Sequence, residues 1–228
     1  MGAAFGRGVR TGYGAMRVLR NLSGAVLLTM TAAHAETVTI AALGDSLTAG
    51  YGLDQGQGFA PQLEQWLRDQ GADVTIVNAG VSGDTTAGGL SRVEWTLTPE
   101  VDGLIIALGG NDYLRGLDPS VSRANLDAIL AAGQEAGVEM LLVGLAVGTN
   151  YGPAFKRDFE AMYVELAEQY DIALYPDMFA ALRAGGETQE AVRRFMQADG
   201  IHPGADGVEA IVADIGPVVL DLIEDIRE

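Results

Sequence analysis

From residue 37 onward the chain alternates short, densely apolar runs with longer stretches in which apolar residues recur every three or four positions. Residues 37–43 (Thr-Val-Thr-Ile-Ala-Ala-Leu) are β-branched and apolar and stop at Gly44, which predicts a first strand. From Phe59 to Gln70, Leu63, Trp66 and Leu67 fall on one face of a helix. Val74–Val77 reads as the second strand, closed by Asn78-Ala79-Gly80, and a helix is predicted over about residues 85–97. Residues 103–108 (Gly-Leu-Ile-Ile-Ala-Leu) are continuously apolar, as a parallel strand buried on both faces should be. Pro119 opens a helix reaching about Ala136, residues 139–145 form a fourth strand, and a long helix covers roughly residues 154–170. A short fifth strand at 172–174 precedes a polar, partly helical stretch, and a final helix runs from about Ala205 to Ile226.

Regular strand–helix alternation implies right-handed crossovers and a parallel sheet with helices on both faces. Five strands in fewer than 200 residues suit an α/β, flavodoxin-like, three-layer α/β/α fold with a five-stranded parallel sheet. Ligands of such sheets bind beyond the carboxyl ends of the strands. The loops after the first three strands, and the one before the last helix, are therefore where chemistry is expected.

Ahead of residue 37 the pattern changes. Arg7, Arg10, Arg17 and Arg20 form a basic front, no acid occurs before Glu36, and Leu22–Ala33 is an apolar run that ends in Ala33-His34-Ala35. About a dozen apolar residues fall short of the roughly 20 that span a bilayer. The small-x-small ending predicts a signal peptide over residues 1–35, cleaved after Ala35, with a single domain over 36–228 and a periplasmic or secreted product. Met16 is an alternative start that leaves the cut unchanged; an N-terminal membrane anchor is the rival reading, and a stable anchor is not expected.

Setting those four arginines aside leaves 10 of the 14 Lys and Arg against 31 Asp and Glu, a charge of −21. Such a surface repels phosphate backbones and anionic headgroups, so no nucleic-acid partner is expected and polyanions such as coenzyme A approach slowly. There are no cysteines, hence no disulfides, and a lone imidazole beside carboxylates makes no zinc site, so no metal is expected. Beyond residue 35 the only histidine is His202. An enzyme using a histidine base has no other residue to use.

Four polar loops occupy the expected positions. Gly44-Asp45-Ser46-Leu47-Thr48-Ala49-Gly50 puts a serine just past a strand and into a helix, where its hydroxyl and its N–H face one space, as a nucleophile needs. The same residues read as a capping serine in a glycine-rich turn, or as a flavin-phosphate loop; Asp45 disfavours an anion there, and no Gly-x4-Gly-Lys motif is present. Gly80-Val81-Ser82-Gly83-Asp84-Thr85 offers a bare N–H at Gly83, or only a turn and helix cap. Gly109-Gly110-Asn111-Asp112 supplies a neutral amide donor suited to an oxyanion, or an ordinary turn. In Asp199-Gly200-Ile201-His202-Pro203, a carboxylate three residues before an imidazole can accept its Nδ1–H and leave Nε2 free as a base; a surface or capping histidine is the plain alternative.

Together and in this order, the four segments resemble the four blocks of the SGNH (GDSL) hydrolase family, named for Ser, Gly, Asn and His. The resemblance runs from Val38 to the final helix. The flanking Ala49-Gly50-Tyr51-Gly52, the run Asn78 to Thr85, Leu114-Arg115-Gly116 and Asn150-Tyr151-Gly152 are similar to the exported bacterial thioesterase I/lysophospholipase-type arylesterases. Thr48 departs from the motif, which more often has serine. The resemblance implies acyl transfer to water through an acyl-enzyme: Ser46 as nucleophile, His202 as base, Asp199 orienting it, and an oxyanion hole made by the N–H groups of Ser46 and Gly83 with the Asn111 amide. It also implies that Tyr113, Leu114 and Leu117 cover an acyl chain, unless the two leucines only cap the core. No cofactor is called for. The expected substrates are short-to-medium acyl esters, including aryl esters, lysophospholipids and thioesters, handled by a monomer. A carbohydrate acetylesterase on the same scaffold, and a non-catalytic lipid- or flavin-binding module, are the alternatives. A histidine base implies activity that rises through about pH 6–7.

Overall fold

Five apolar runs pair in parallel, in the spatial order β2-β1-β3-β4-β5, to make the sheet that organises the chain. The structure is a computed structural model and describes residues 37–183 and 193–228. The strands are β1 (Val38–Gly44), β2 (Val74–Gly80), β3 (Gly103–Ala107), β4 (Glu139–Val143) and β5 (Ala173–Tyr175). Between and after them come α1 (Ser46–Ala49), α2 (Phe59–Asp69), α3 (Thr86–Leu90), α4 (Val93–Thr96), α5 (Gly110–Leu114), α6 (Pro119–Ala136), α7 (Pro153–Tyr170), α8 (Ala180–Arg183) and α9 (Ala205–Arg227). The signal peptide expected over residues 1–35 lies outside the described residues, as do residues 184–192 of the polar stretch.

The register puts Gly44 of β1 opposite Gly80 of β2 and Ala107 of β3, so three strands end level at one edge. Successive side chains of β1 serve two cores, as the pleat requires. Val38, Ile40 and Ala42 pack with Leu63 and Leu67 of α2 and Ile211, Ile215 and Val219 of α9. Ala41 and Leu43 pack with Leu126 and Ile129 of α6 and Phe159 and Met162 of α7. Each of the larger of these side chains (Val, Leu, Ile, Phe, Met) stabilises the fold by about 1.5–3 kcal/mol relative to exposure. The result is the α/β/α sandwich with the flavodoxin-like strand order.

The helices begin and end where local chemistry dictates. Asp118 caps α6 by accepting the Ser120 N–H, Pro119 occupies the first turn, and Gly137 ends it at φ 71°. The outer edge of β2 is covered by α2: Glu64 accepts the Ile76 N–H at 2.7 Å and Arg68 donates to the Val74 carbonyl at 3.0 Å. That pair blunts an edge otherwise open to another strand.

Four elements differ from expectation. Strand β2 does not close at Val77 but runs on through Asn78-Ala79-Gly80, paired with Ala42, Leu43 and Gly44 of β1. The helix expected over 85–97 is two short pieces, α3 and α4, because Gly88-Gly89 weaken its middle and the chain turns at Ser91-Arg92. Strand β4 stops at Val143, and residues 145–147 leave the sheet. The turn at Gly110 continues into a helical turn, α5.

Asp112 in α5 is fully buried and fastens that turn to the layer behind it. Its carboxylate accepts the Thr86 N–H (2.9 Å), the Thr86 hydroxyl (2.6 Å) and the Ser122 hydroxyl (2.9 Å). Thr48 presents the opposite case: its buried hydroxyl has no hydrogen-bond partner among the described residues. Removing a satisfied acceptor strands three donors, whereas removing an unsatisfied hydroxyl strands none. In urea unfolding, Asp112→Ala is expected to lose roughly 3 kcal/mol, and Thr48→Val to match or exceed the wild type by about 1 kcal/mol.

Candidate active site

The level ends of β1, β2 and β3 bring three of the four loops side by side, and the fourth arrives ahead of α9. Asp45, almost wholly buried, caps α1 by accepting the Leu47 N–H at 3.0 Å, so the chain enters a helical turn at Ser46 and lifts its hydroxyl off the sheet edge. Opposite, Asp199 Oδ1 accepts the N–H groups of Ile201 (2.9 Å) and His202 (3.0 Å), which curls Asp199–His202 into a turn closed on its own carboxylate. The second oxygen, Oδ2, accepts the Nδ1–H of His202 at 2.7 Å, and His202 Nε2 lies 2.9 Å from Ser46 Oγ. A carboxylate only accepts, so the ring proton sits on Nδ1, and Nε2 offers its lone pair to the Ser46 O–H.

The bond from His202, with the two backbone N–H groups, holds the Asp199 carboxyl down to about 2. Burial pushes the Asp45 carboxyl up, partly offset by the Leu47 N–H, the nearby His202 and the Asn111 amide. Two strapping contacts fix the histidine loop. Gln197 Nε2 donates to the carbonyls of Tyr51 (2.7 Å) and Pro203 (2.9 Å), tying that loop to the one after α1. The Tyr51 ring lies against the imidazole, with centroids 4.6 Å apart.

Asn111 reaches the same space from the first turn of α5. Its Nδ2 donates to the Asp84 carbonyl at 2.9 Å and, more weakly, to Asp45 Oδ2 at 3.3 Å. Two acceptors on one side settle which end of the amide is nitrogen. The long bond leaves one N–H available to a stronger acceptor. Gly109, just before it, has φ 121°, and a Cβ there would strike the Tyr163 hydroxyl, which itself donates to the Leu108 carbonyl at 2.9 Å. Gly83 has φ 86°, and Arg115 donates to its carbonyl at 2.8 Å.

Ser46, Gly83, Asn111 and His202 all line one cavity of about 450 Å³, and Asp199 stands behind His202. Tyr113 and Leu114 also line it. Leu117 does not: it sits half-buried beyond α5, its N–H on the Asp112 carbonyl. Most of the apolar wall comes from residues that pattern alone did not single out: Leu145, Val147, Phe179, Met196 and Ile201. Val147 is gripped at both ends, its N–H by Glu160 (2.8 Å) and its carbonyl by Lys156 (2.7 Å), and these two side chains pair with each other. Among the described residues no cluster of three or more His, Cys, Asp or Glu is poised to hold a metal ion.

A serine hydroxyl bonded to an oriented imidazole, beside amide donors at the mouth of an apolar cavity, is the equipment of an acyl hydrolase. Comparison with known proteins agrees. Residues 42–210 match the GDSL-like lipase/acylhydrolase family, and the chain belongs to that family. It is 37% identical over 203 residues to esterase TesA of Pseudomonas aeruginosa, covering 89% of this chain and 98% of that protein. It is 36% identical over 191 residues to thioesterase 1/protease 1/lysophospholipase L1 of Escherichia coli K12, covering 83% and 85% of the two chains. Among solved structures, AlinE4, an SGNH-hydrolase family esterase, superposes with a TM-score of 0.67 at 42% identity, over 82% of this chain and 97% of that one. The protein is thus a carboxylic ester hydrolase. No helix among the described residues is long and apolar enough to cross a membrane.

A carboxyl lowered on folding stabilises the folded chain above its unfolded value of about 3.9, and that contribution is lost as pH falls. For Asp199 the loss is complete only near pH 2. Thermal unfolding of wild type and Asp199→Asn across acidic pH is expected to show a gap that is full above about pH 4 and closes toward pH 2.

Proposed function

We propose that the protein is a serine esterase that hydrolyses short-to-medium acyl esters through an acyl-enzyme on Ser46. The observation that carries this reading is the unbroken line from Asp199 Oδ2 to His202 Nδ1 (2.7 Å) and from His202 Nε2 to Ser46 Oγ (2.9 Å). Ser46 Oγ attacks the ester carbonyl while its proton passes to Nε2. The imidazolium formed stays paired with Asp199, whose carboxylate remains ionised at any working pH because it is held so low. Collapse of the tetrahedral intermediate expels the alcohol, which takes the proton from Nε2. Water then repeats the cycle on the acyl-serine, with His202 again as base, and releases the acid.

Through both tetrahedral stages the N–H groups of Ser46 and Gly83 and the Nδ2 of Asn111 receive the oxyanion. Asn111 redirects the N–H that lies 3.3 Å from Asp45 in the resting site. The apolar wall of Leu114, Leu145, Val147, Phe179, Met196 and Ile201 takes the acyl chain, with Tyr113 beside it. That lining suits an aliphatic chain better than a sugar, which favours aryl esters, lysophospholipids and thioesters over acetylated carbohydrate. Residues 1–35 support export to the periplasm or beyond.

Hydrolysis of p-nitrophenyl butyrate is expected to fall by about 10⁴-fold or more in Ser46→Ala and in His202→Ala. Asn111→Ala should lose about 10²–10³ in kcat. Wild-type rates in Ser46→Ala would overturn the serine mechanism.

A further inference from the structure

The three donors assigned to the oxyanion sit on three separate loops, and their usefulness depends on those loops keeping fixed relative positions. Arg92, at the turn between α3 and α4, bonds directly to two of those segments and reaches the third, that of Asn111, only through Asp84. Its side chain is only 20% exposed. Nε donates to Asp84 Oδ2 at 2.7 Å, one terminal nitrogen to the Ala79 carbonyl at 2.6 Å, and the other to the Gly44 carbonyl at 2.8 Å.

Each acceptor leads to a different donor. Gly44 ends β1 two residues before Ser46, and its carbonyl also accepts the Val81 N–H at 3.0 Å, so two donors fix that peptide plane. Ala79 and Asp84 bracket the turn that contains Gly83. The Asp84 carbonyl is the 2.9 Å acceptor that sets the orientation of the Asn111 amide. Arg92 is not among the residues lining the cavity, so it acts on the site without meeting substrate.

We propose that Arg92 is a positioning residue whose guanidinium holds the Ser46, Gly83 and Asn111 loops in the arrangement that receives the oxyanion. The proposal rests on the reading of those three residues as the oxyanion donors. It depends on planarity: three nitrogens in a rigid fork reach three acceptors at once, one at the end of β1 and two that bracket the Gly83 turn, a pattern the single nitrogen of a lysine cannot reproduce. The Ser46–His202–Asp199 line makes no contact with the fork, so proton transfer should be left intact while charge stabilisation is lost.

The test compares Arg92→Lys and Arg92→Ala with wild type on p-nitrophenyl butyrate, alone and combined with Asn111→Ala. The expected result for Arg92→Lys is cooperative urea unfolding, an unshifted pH–rate midpoint, and a kcat about 10²-fold lower, the cost of roughly 1 Å of misplacement, with KM little changed. In the double variant the second loss should be smaller than in Arg92→Lys alone, because one of the three donors that the fork positions is already gone. Sub-denaturing guanidinium should restore part of the activity of Arg92→Ala. The proposal is overturned if folded Arg92→Lys keeps kcat within about threefold of wild type, or if its loss multiplies fully with that of Asn111→Ala. It is equally overturned if the loss falls on KM or moves the pH midpoint. Should Arg92→Ala fail to fold, Arg92→Lys decides the matter. Wild-type rates in Ser46→Ala and Asn111→Ala would instead sink the underlying assignment, a separate outcome read in the same assay.

Discussion

A parallel strand delivers its carboxyl end, and whatever loop follows it, to the same edge of the sheet as its neighbours. Three of the four loops at this site are placed by that constraint, and the fourth docks against them. With β1 between β2 and β3, the loops carrying Ser46, Gly83 and Asn111 are adjacent by topology, before any side chain is chosen. The histidine loop has no strand to deliver it. It is held instead by bonds within itself and across to the first loop: Gln197 to Tyr51 and Pro203, Gln197 N–H to the His202 carbonyl, and the Gly204 N–H to the Phe195 carbonyl. So His202 Nε2 and Ser46 Oγ, 156 residues apart in sequence, meet at 2.9 Å.

Neighbouring carboxylates at that edge do different work because their surroundings differ. Asp199 is held low by three donors, which suits it to the counter-charge role proposed for it. Asp45 lies buried under Asn111, where burial opposes its charge, and serves as the cap of α1 and as a weak acceptor for the amide. Asp112, deepest of the three, is saturated by Thr86 and Ser122 and anchors the turn instead of facing the cavity. In each case the donors around the carboxylate, more than its place in the sequence, decide its role.

The sheet was legible from the sequence because strands buried on both faces are apolar throughout, and β1, β3 and the long helices α6, α7 and α9 lie where the pattern puts them. Boundaries were less legible where glycine intervened: Gly88-Gly89 divides a helix that periodicity alone would run to residue 97. The four loops could be read from residue type and position, since each chemistry needs a particular group beside a glycine-rich turn. The cavity wall could not. Leu145 looks like the end of a strand until Gly144 turns the chain, Val147 lies just past it, and Phe179, Met196 and Ile201 come from distant loops. Leu117 shows the converse error, since an apolar residue next to a site need not face it. Arg92 and Asp112 left no local signal, because their partners lie as far as 48 and 26 residues away.

The acyl-enzyme proposed on Ser46 is directly testable by trapping. Wild-type protein mixed with p-nitrophenyl butyrate and acid-quenched within a turnover, then digested and examined by mass spectrometry, should carry one butyryl group on the peptide containing Ser46. The group should be absent in Ser46→Ala and should accumulate far more slowly in His202→Ala. Turnover in the wild type with no adduct at any quench time, or an adduct on a different residue, would contradict a covalent mechanism at Ser46.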